Sequence, residues 1–296
     1  MVREVVLAVL ILTIGAAPPV ASKQRTPSVD DVMRRVAAYV DAYGEKAAIV
    51  VATEHYTQQA RSSYGVTGRT MRQSNAAGDP AVRHIVADFA IVKVETLRGW
   101  QGFRDVVEVD GQRVSDRDDR LVKILTGSGG RYDEARRLSD ESSRFNIGAI
   151  VRNFNVPTTA LFFFRPADLD RFHFSAKAVQ ADGTWEIAFR EVSRPTMIRT
   201  PEGKSILSEG TLWVNPADGT VVRTALKVGG FVPARTRMYG SGRVDVTYRY
   251  VPNLEMWLPA TMDEEFEASN SNDADTISGR ALYSNYRQFQ TTGRIK

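Results

Sequence analysis

The chain has 296 residues, no cysteine, and a formal net charge of +4 from 39 basic and 35 acidic residues. Because the two signs are interspersed, this balance indicates a solvated surface and excludes a nucleic-acid-binding face. A fold without disulfides depends on its hydrophobic core, and this chain is long enough to build one.

The N-terminus has the pattern of a signal peptide. Arg3 precedes an apolar run over 5–17, shorter than the roughly 20 apolar residues that span a bilayer. The small residues of Val20–Ser22 offer a cleavage site. We expect 1–22 to be a signal peptide, with an uncleaved anchor as the alternative. We expect 23–296 to be a single domain, exported to the periplasm or the cell exterior. Since there is no cysteine, a lipid-modified N-terminus is excluded.

The first element of the mature chain is predicted to be a helix. Ser28 is a capping residue, and Asp30 and Asp31 are favourable in a first turn. Apolar residues then recur at helical spacing, at Val29, Val32, Met33, Val36, Val40 and Tyr43. We expect Gly44 to end this helix.

The rest of the chain alternates with a period of two and predicts an α+β fold, mostly antiparallel β. Asp110-Gly111 and Asn215–Gly219 have the composition of tight turns between strands. The predicted strands are 47–57, 66–72, 85–97, 106–114, 172–175, 184–192, 210–215, 221–228, 244–251, 260–268 and 277–289.

A helical insert is predicted at about 116–170. The segment 133–144 is charged and rich in helix formers. Pro157 and the run 160–164 that follows it fit either a short helix or a strand buried on both faces. Periodicity does not decide between the two.

The sequence contains no recognisable catalytic, metal or cofactor motif, so we predict no enzyme, no metal and no cofactor. The histidines His55, His84 and His173 are far apart in sequence and are predicted to lie on strand surfaces. No G-x-S-x-G nucleophile elbow is present. Ile198 stands where a phosphate-binding loop ending in Gly203-Lys204-Ser205 would need its first glycine.

The insert mixes arginines with aromatic residues, which allows three interpretations. In the first interpretation, the insert packs on the sheet and its arginines pair with acidic residues. Alternatively, it is a lid whose aromatic residues line an apolar cavity and whose arginines meet an acidic head group. A third interpretation is peripheral membrane contact. The ligand-binding residues that the lid interpretation predicts are Arg152, Phe154, Leu161, Phe162, Phe163, Phe164 and Arg165.

Several segments, taken in order, resemble the bacterial periplasmic lipoprotein-carrier superfamily with its LolA/LolB-like fold. These are the amphipathic helix 29–36, the strand–turn–strand 210–223 with its Trp-Val-Asn-Pro turn, and the pieces 246–248, 257–260 and 283–286.

That resemblance implies a curved, half-barrel-like antiparallel sheet that helices close on one side around an apolar cavity. Trp213, Phe231 and Trp257 would then join the insert's phenylalanines as cavity residues. The implied function is binding or carriage of a lipid, an acylated protein or another apolar ligand. The alternative is a structural or protein-interaction module of the cell envelope.

Overall fold

A computed structural model describes residues 26–62, 80–94, 99–115, 121, 124–125, 131–148, 152, 155–200, 202–231, 239–269, 274–290 and 294–295. The predicted signal peptide, the predicted strand 66–72 and Phe154 therefore lie outside the described residues. The same holds for the side chain of Phe231, although its backbone ends a strand.

The N-terminal helix, α1 (Val29–Ala47), begins where the sequence predicts. Ser28 and Asp31 form a reciprocal capping box, with backbone-to-side-chain distances of 3.1 and 3.0 Å. The prediction that Gly44 ends the helix is wrong, because α1 continues for three more residues to Ala47. Gly44 makes room for Trp100, since a Cβ there would lie 1.7 Å from the indole Cδ1.

In the described part of the chain, twelve strands and two further α-helices of four residues or more follow α1. The helices are α2 (Arg131–Ser143) and α3 (Thr159–Phe162). The strands are β1 (Val50–Ser62), β2 (Ala81–Val94), β3 (Gly99–Val109), β4 (Gln112–Arg113), β5 (Phe172–Val179), β6 (Trp185–Glu191), β7 (Leu207–Val214), β8 (Val221–Phe231), β9 (Tyr239–Val251), β10 (Met256–Ser269), β11 (Ala274–Gln290) and β12 (Arg294–Ile295).

Eleven of these strands form one antiparallel sheet in the order β4-β3-β2-β1-β11-β10-β9-β8-β7-β6-β5, and β12 pairs with β11. The α+β, mostly antiparallel prediction is confirmed. Most neighbours are joined by hairpins, and the predicted Asp110-Gly111 turn is one of them, with both residues at positive φ. The pairing of β1 with β11 joins two strands that are far apart in sequence.

The sheet curls around α1. The helix contacts β2 and β3 near one end of the sheet and β5 at the other, so both ends bend toward the same helix. On its concave face, alternate residues of the strands meet the apolar side of α1 in one large core. The turn Asn215–Gly219 packs against α1, because Gly219 lies directly against the backbone of Arg35.

The insert is divided between the two faces of the sheet. Its helix α2 packs on the convex face, where Leu138 joins Phe103 and Val92 in a second, smaller core. The rest of the insert crosses to the concave face. There the undecided run 160–164 is a short helix followed by a turn. No helix among the described residues is long and apolar enough to cross a membrane.

Candidate functional site

An apolar groove of about 230 Å³ opens on the concave side of the sheet beside β3. Three parts of the chain build its walls. These are the start of β3, the part of the insert that follows Asn155, and the loop between β6 and β7. The apolar lining consists of Trp100, Val156, Phe162, Phe163, Met197 and Ile198, with Gln101, Gly102, Thr158 and Thr159 between them.

Trp100 fixes the first wall to helix α1. Its indole Nε1 donates to the carbonyl of Val40 at 3.3 Å, and its ring packs 5.5 Å from that of Tyr43. On the other side it meets Phe162 edge-on, with ring centroids 6.3 Å apart. The indole is buried, so one face of the groove is a rigid aromatic surface.

The second wall is a segment that we call the strap, made of residues 145–148, 152 and 155–164. It lies close against β3 because Gly102 has no side chain, and a Cβ there would lie 2.3 Å from the hydroxyl of Thr158. Tyr248 of β9 donates its hydroxyl to the carbonyl of Pro157 at 2.8 Å. The strap is therefore held from both sides of the concave face.

The three consecutive phenylalanines of the strap have different environments. Phe162 is half-buried and lines the groove, with the guanidinium of Arg165 3.7 Å above its ring. Phe163 lines the groove but also stacks on Phe172 at 5.5 Å. Phe164 is wholly buried, 5.1 Å from Phe189, and belongs to the core.

The third wall is the loop between β6 and β7, described at 192–200 and 202–206, which a buried glutamate binds to the sheet. Glu191 accepts a hydrogen bond from the backbone of Met197 at 2.8 Å and pairs with Arg171 at 3.2 Å. Within the loop, the hydroxyl of Thr196 donates to the carbonyl of Ile198 at 2.6 Å. These bonds set the position of the two apolar side chains that face the groove.

Next to the groove, the concave face contains a network of buried charges. Glu54 of β1 is wholly buried and forms a two-point ion pair with Arg104 of β3, whose Nη2 lies 2.7 Å from the carboxylate. The hydroxyl of Tyr283 donates to the same carboxylate at 2.6 Å. Arg104 also donates to the carbonyl of Asn155 at 3.2 Å, which links this pair to the strap.

A second buried carboxylate, Glu264 of β10, is contacted mainly by the strap. Arg152 approaches it to 3.3 Å, and the Asn155 amide donates to it at 3.1 Å. From the sheet, Tyr56 donates its hydroxyl to Glu264. Two carboxylates and two guanidinium groups thus lie inside the sheet, each paired, as buried charges must be.

The protonation properties follow from this burial. Burial raises the pKa of the Tyr56 hydroxyl well above its ordinary value, and the charge of Glu264 raises it further. Burial lowers the pKa of Arg104, but the ion pair with Glu54 more than offsets this, so its pKa is raised. The tyrosines therefore stay neutral donors and Arg104 stays charged.

The residues predicted from sequence are only partly brought together. Phe162 and Phe163 line the groove, whereas Leu161 and Phe164 lie in the core. Arg152 is wholly buried in the charge network, and Arg165 pairs with Asp168 at 2.6 Å.

The two predicted tryptophans lie away from the groove. Trp213 is on the convex face under the guanidinium of Arg223, at 4.4 Å. Trp257 is half-buried beside Tyr250, with ring centroids 6.3 Å apart. The three histidines are exposed on strands.

Sequence reasoning missed the charge network, although part of its signal was present. In β1, the residues Ala52, Tyr56 and Ala60 have the spacing of an inward-facing row, and Glu54 and Gln58 fall in that same row. Glu264 interrupts the apolar row of β10 in the same way. A charged residue at an inward position is the feature that would have pointed to the network.

Comparisons with known proteins add little to this architecture. No family model matches the chain, and no curated protein matches it. Among solved structures, a chain of the Pseudomonas aeruginosa MucA/MucB complex aligns with 88% of this chain and 99% of its own length. The identity is 8% and the TM-score 0.18, so the alignment carries no argument about fold or function.

Proposed function

We propose that this is an exported, non-enzymatic envelope protein that binds or carries an apolar or acylated ligand, such as a lipid or the acyl chain of a lipoprotein. The observation that carries the proposal is the groove between Trp100 and the strap. An open, mostly apolar cleft with a few polar groups at its edge is the usual form of a site for apolar ligands.

The size of the groove supports a short length of one acyl chain as the occupant. Its volume of about 230 Å³ is below the roughly 300–1,000 Å³ of sites for drug-sized ligands. Burial of five methylene groups, at about 0.8 kcal/mol each, contributes about 4 kcal/mol. That contribution alone corresponds to a dissociation constant of about 1 mM, before any contacts of the head group are added.

The proposal predicts that a charge placed in the groove abolishes capture. Phe162→Asp should raise the dissociation constant for an apolar fluorescent dye or a fatty acid at least about tenfold, because an ionised carboxylate would replace apolar lining. The matched control is Leu282→Asp, which makes the same kind of change at an exposed position on the convex face. It should leave binding unchanged.

Native mass spectrometry should identify the natural ligand. The protein is expressed with its own predicted signal peptide and purified from the periplasmic fraction. A bound amphiphile is expected in the unmodified protein and should be depleted in Phe162→Asp. If the protein carries no amphiphile and does not increase the fluorescence of an apolar dye, the carrier proposal is wrong.

One feature favours the alternative, a protein-interaction module. Strand β5 is the last of the sheet and pairs only with β6 in the described part of the chain. An extended segment of another protein can add to such an edge. Cross-linking in cells separates the two proposals, since a stable protein partner on β5 together with an empty groove favours the module.

A further inference from the structure

The guanidinium of Arg152 is surrounded by polar and aromatic partners in the way that a protein surrounds a bound ligand. Its Nη2 donates to the side-chain oxygen of Gln58 at 2.8 Å, and its Nη1 donates to the carbonyl of Ile147 at 3.1 Å. Its Nε lies 3.3 Å from Glu264, and the ring of Phe266 lies beside it at 5.5 Å. Apart from Ile147, every one of these partners belongs to the sheet.

We propose that the concave face carries a guanidinium-binding site, built by Gln58, Glu264 and Phe266, and that Arg152 occupies this site and so anchors the strap as a wall of the groove. The first part concerns the sheet together with the carbonyl of Ile147, which the strap contributes. The second part, the effect on the groove, rests on the proposed function.

The geometry selects a guanidinium over any other cation. Nη1 and Nη2 of Arg152 donate to two different oxygens, and its Nε lies 3.3 Å from a third as an ion-pair contact, an arrangement around one planar group that matches the fork of an arginine. An ammonium could pair with Glu264 but could not also reach the amide of Gln58 and the carbonyl of Ile147 in this arrangement. The site is fully enclosed, so each unmade bond would leave a buried polar group unpaired.

The side-chain amide of Gln58 connects the sheet to the strap through several hydrogen bonds. Its oxygen accepts from Arg152 and also from the backbone of Ile147, at 3.0 Å, while its nitrogen donates to Asn146 at 3.0 Å. Asn146 in turn donates to the carbonyl of Arg152 at 2.9 Å. One side chain of β1 thus binds the strap at Asn146, Ile147 and Arg152.

The same carboxylate connects the anchor to the groove. Glu264 pairs with Arg152 and also accepts from Asn155, the residue immediately before the groove residue Val156. The position of the groove wall therefore depends on the occupant of the guanidinium site. A wall that is held in place before binding favours the ligand, because less order is lost when the ligand enters.

The experiment removes the guanidinium and returns it as a free ion. Arg152→Ala leaves Glu264 without its counterion, so its thermal midpoint should fall. Ethylguanidinium at millimolar concentration should then raise that midpoint by about 2–4 °C once it exceeds its dissociation constant several-fold. Ethylammonium, which has the charge without the fork, should not.

Two controls assign the effect to the site. In Arg152→Ala combined with Glu264→Gln the carboxylate is gone, and ethylguanidinium should have no effect. Arg137→Ala removes an exposed arginine of α2 and should also show none. If Arg152→Ala does not fold, ethylguanidinium should increase its refolding yield above that in ethylammonium. Equal midpoints, or equal yields, in the two ions would overturn the guanidinium site.

The anchoring role is tested by dye binding in the same variant. Free ethylguanidinium fills the site but has no covalent link to the strap. It should therefore restore stability while the dye affinity stays about fivefold or more below that of the unmodified chain. Full recovery of dye affinity would show that the site does not act as an anchor. If the unmodified chain binds no dye, the proposed function fails, whereas the midpoint shift still decides the guanidinium site.

Discussion

Two buried tyrosine hydroxyls of this protein are in opposite situations. Tyr283 donates to the carboxylate of Glu54 at 2.6 Å. Tyr43 of α1 packs its ring against Trp100, but its hydroxyl is buried with no hydrogen-bond partner in the described part of the chain. The same substitution by phenylalanine should therefore act in opposite directions at the two positions.

Tyr283→Phe should destabilise the protein by about 1.5–3 kcal/mol, because a buried carboxylate loses a hydrogen bond. Tyr43→Phe should stabilise it by about 1 kcal/mol, because an unpaired buried hydroxyl is removed and the ring contacts remain. Urea unfolding at neutral pH measures both. Shifts of the same sign in the two variants would contradict this account.

The buried hydroxyl of Tyr43 also leads us to expect that the protein loses stability at alkaline pH. Burial raises the pKa of Tyr43 well above its ordinary value, and other tyrosines contribute. The unfolded chain ionises near pH 10, so the stabilisation is complete below that pH and is lost as pH rises toward the folded-state pKa. In Tyr43→Phe the decline above pH 10 should be shallower by about 1.4 kcal/mol per pH unit.

Residue by residue, the sequence predicts which side chains face inward better than it predicts their partners. Alternation along β1 places Glu54 in an inward row, as the structure has it. Its partner Arg104 lies 50 residues away and meets it only because β2 pairs with both β1 and β3. No local pattern contains that information.

At the scale of elements, Gly44 in the interior of α1 allows the packing of this helix to be tested. Intrinsic propensity favours Gly44→Ala by about 1 kcal/mol. The added Cβ, however, would lie 1.7 Å from the indole of Trp100. We expect a net destabilisation of about 1–3 kcal/mol, as for other overpacked cores.

Ala42→Gly, at an exposed position of the same helix, is the matched control and should cost about 1 kcal/mol by propensity alone. Urea midpoints separate the two effects. Stabilisation by Gly44→Ala would mean that the helix and the indole are not in contact.

Elements set by local signals were predictable, and those set by distant contacts were not. The N-cap Ser28 of α1 and the Asp110-Gly111 turn depend on residues that are close in sequence, so both are predicted correctly. The run 160–164 stayed undecided, because its apolar residues serve both the core and the groove and so show neither period. The groove itself needs three segments that only the folded sheet brings together.

At the scale of the whole molecule, the sheet is open in the described part of the chain, so it has two edges to protect. One edge ends in β4, which has only two residues. The other is β5, with eight residues, where pairing could continue into another molecule. In β5 the register to β6 breaks between Ala176 and Ala178, and Lys177 is the residue left without a partner in that ladder. A bulge that carries a lysine is a known protection against edge-to-edge pairing.

Lys177→Val should therefore promote self-association, because it replaces the edge charge with a residue that favours strands. The matched control is Lys227→Val, on the same convex face but within the central strand β8, whose two edges are already paired. Light scattering after size exclusion, over a range of concentrations, compares each variant with the unmodified chain. We expect the mass of Lys177→Val to rise with concentration and that of Lys227→Val to follow the unmodified chain. An equal rise in both variants would mean that lost surface charge, and not the open edge of the sheet, drives the association.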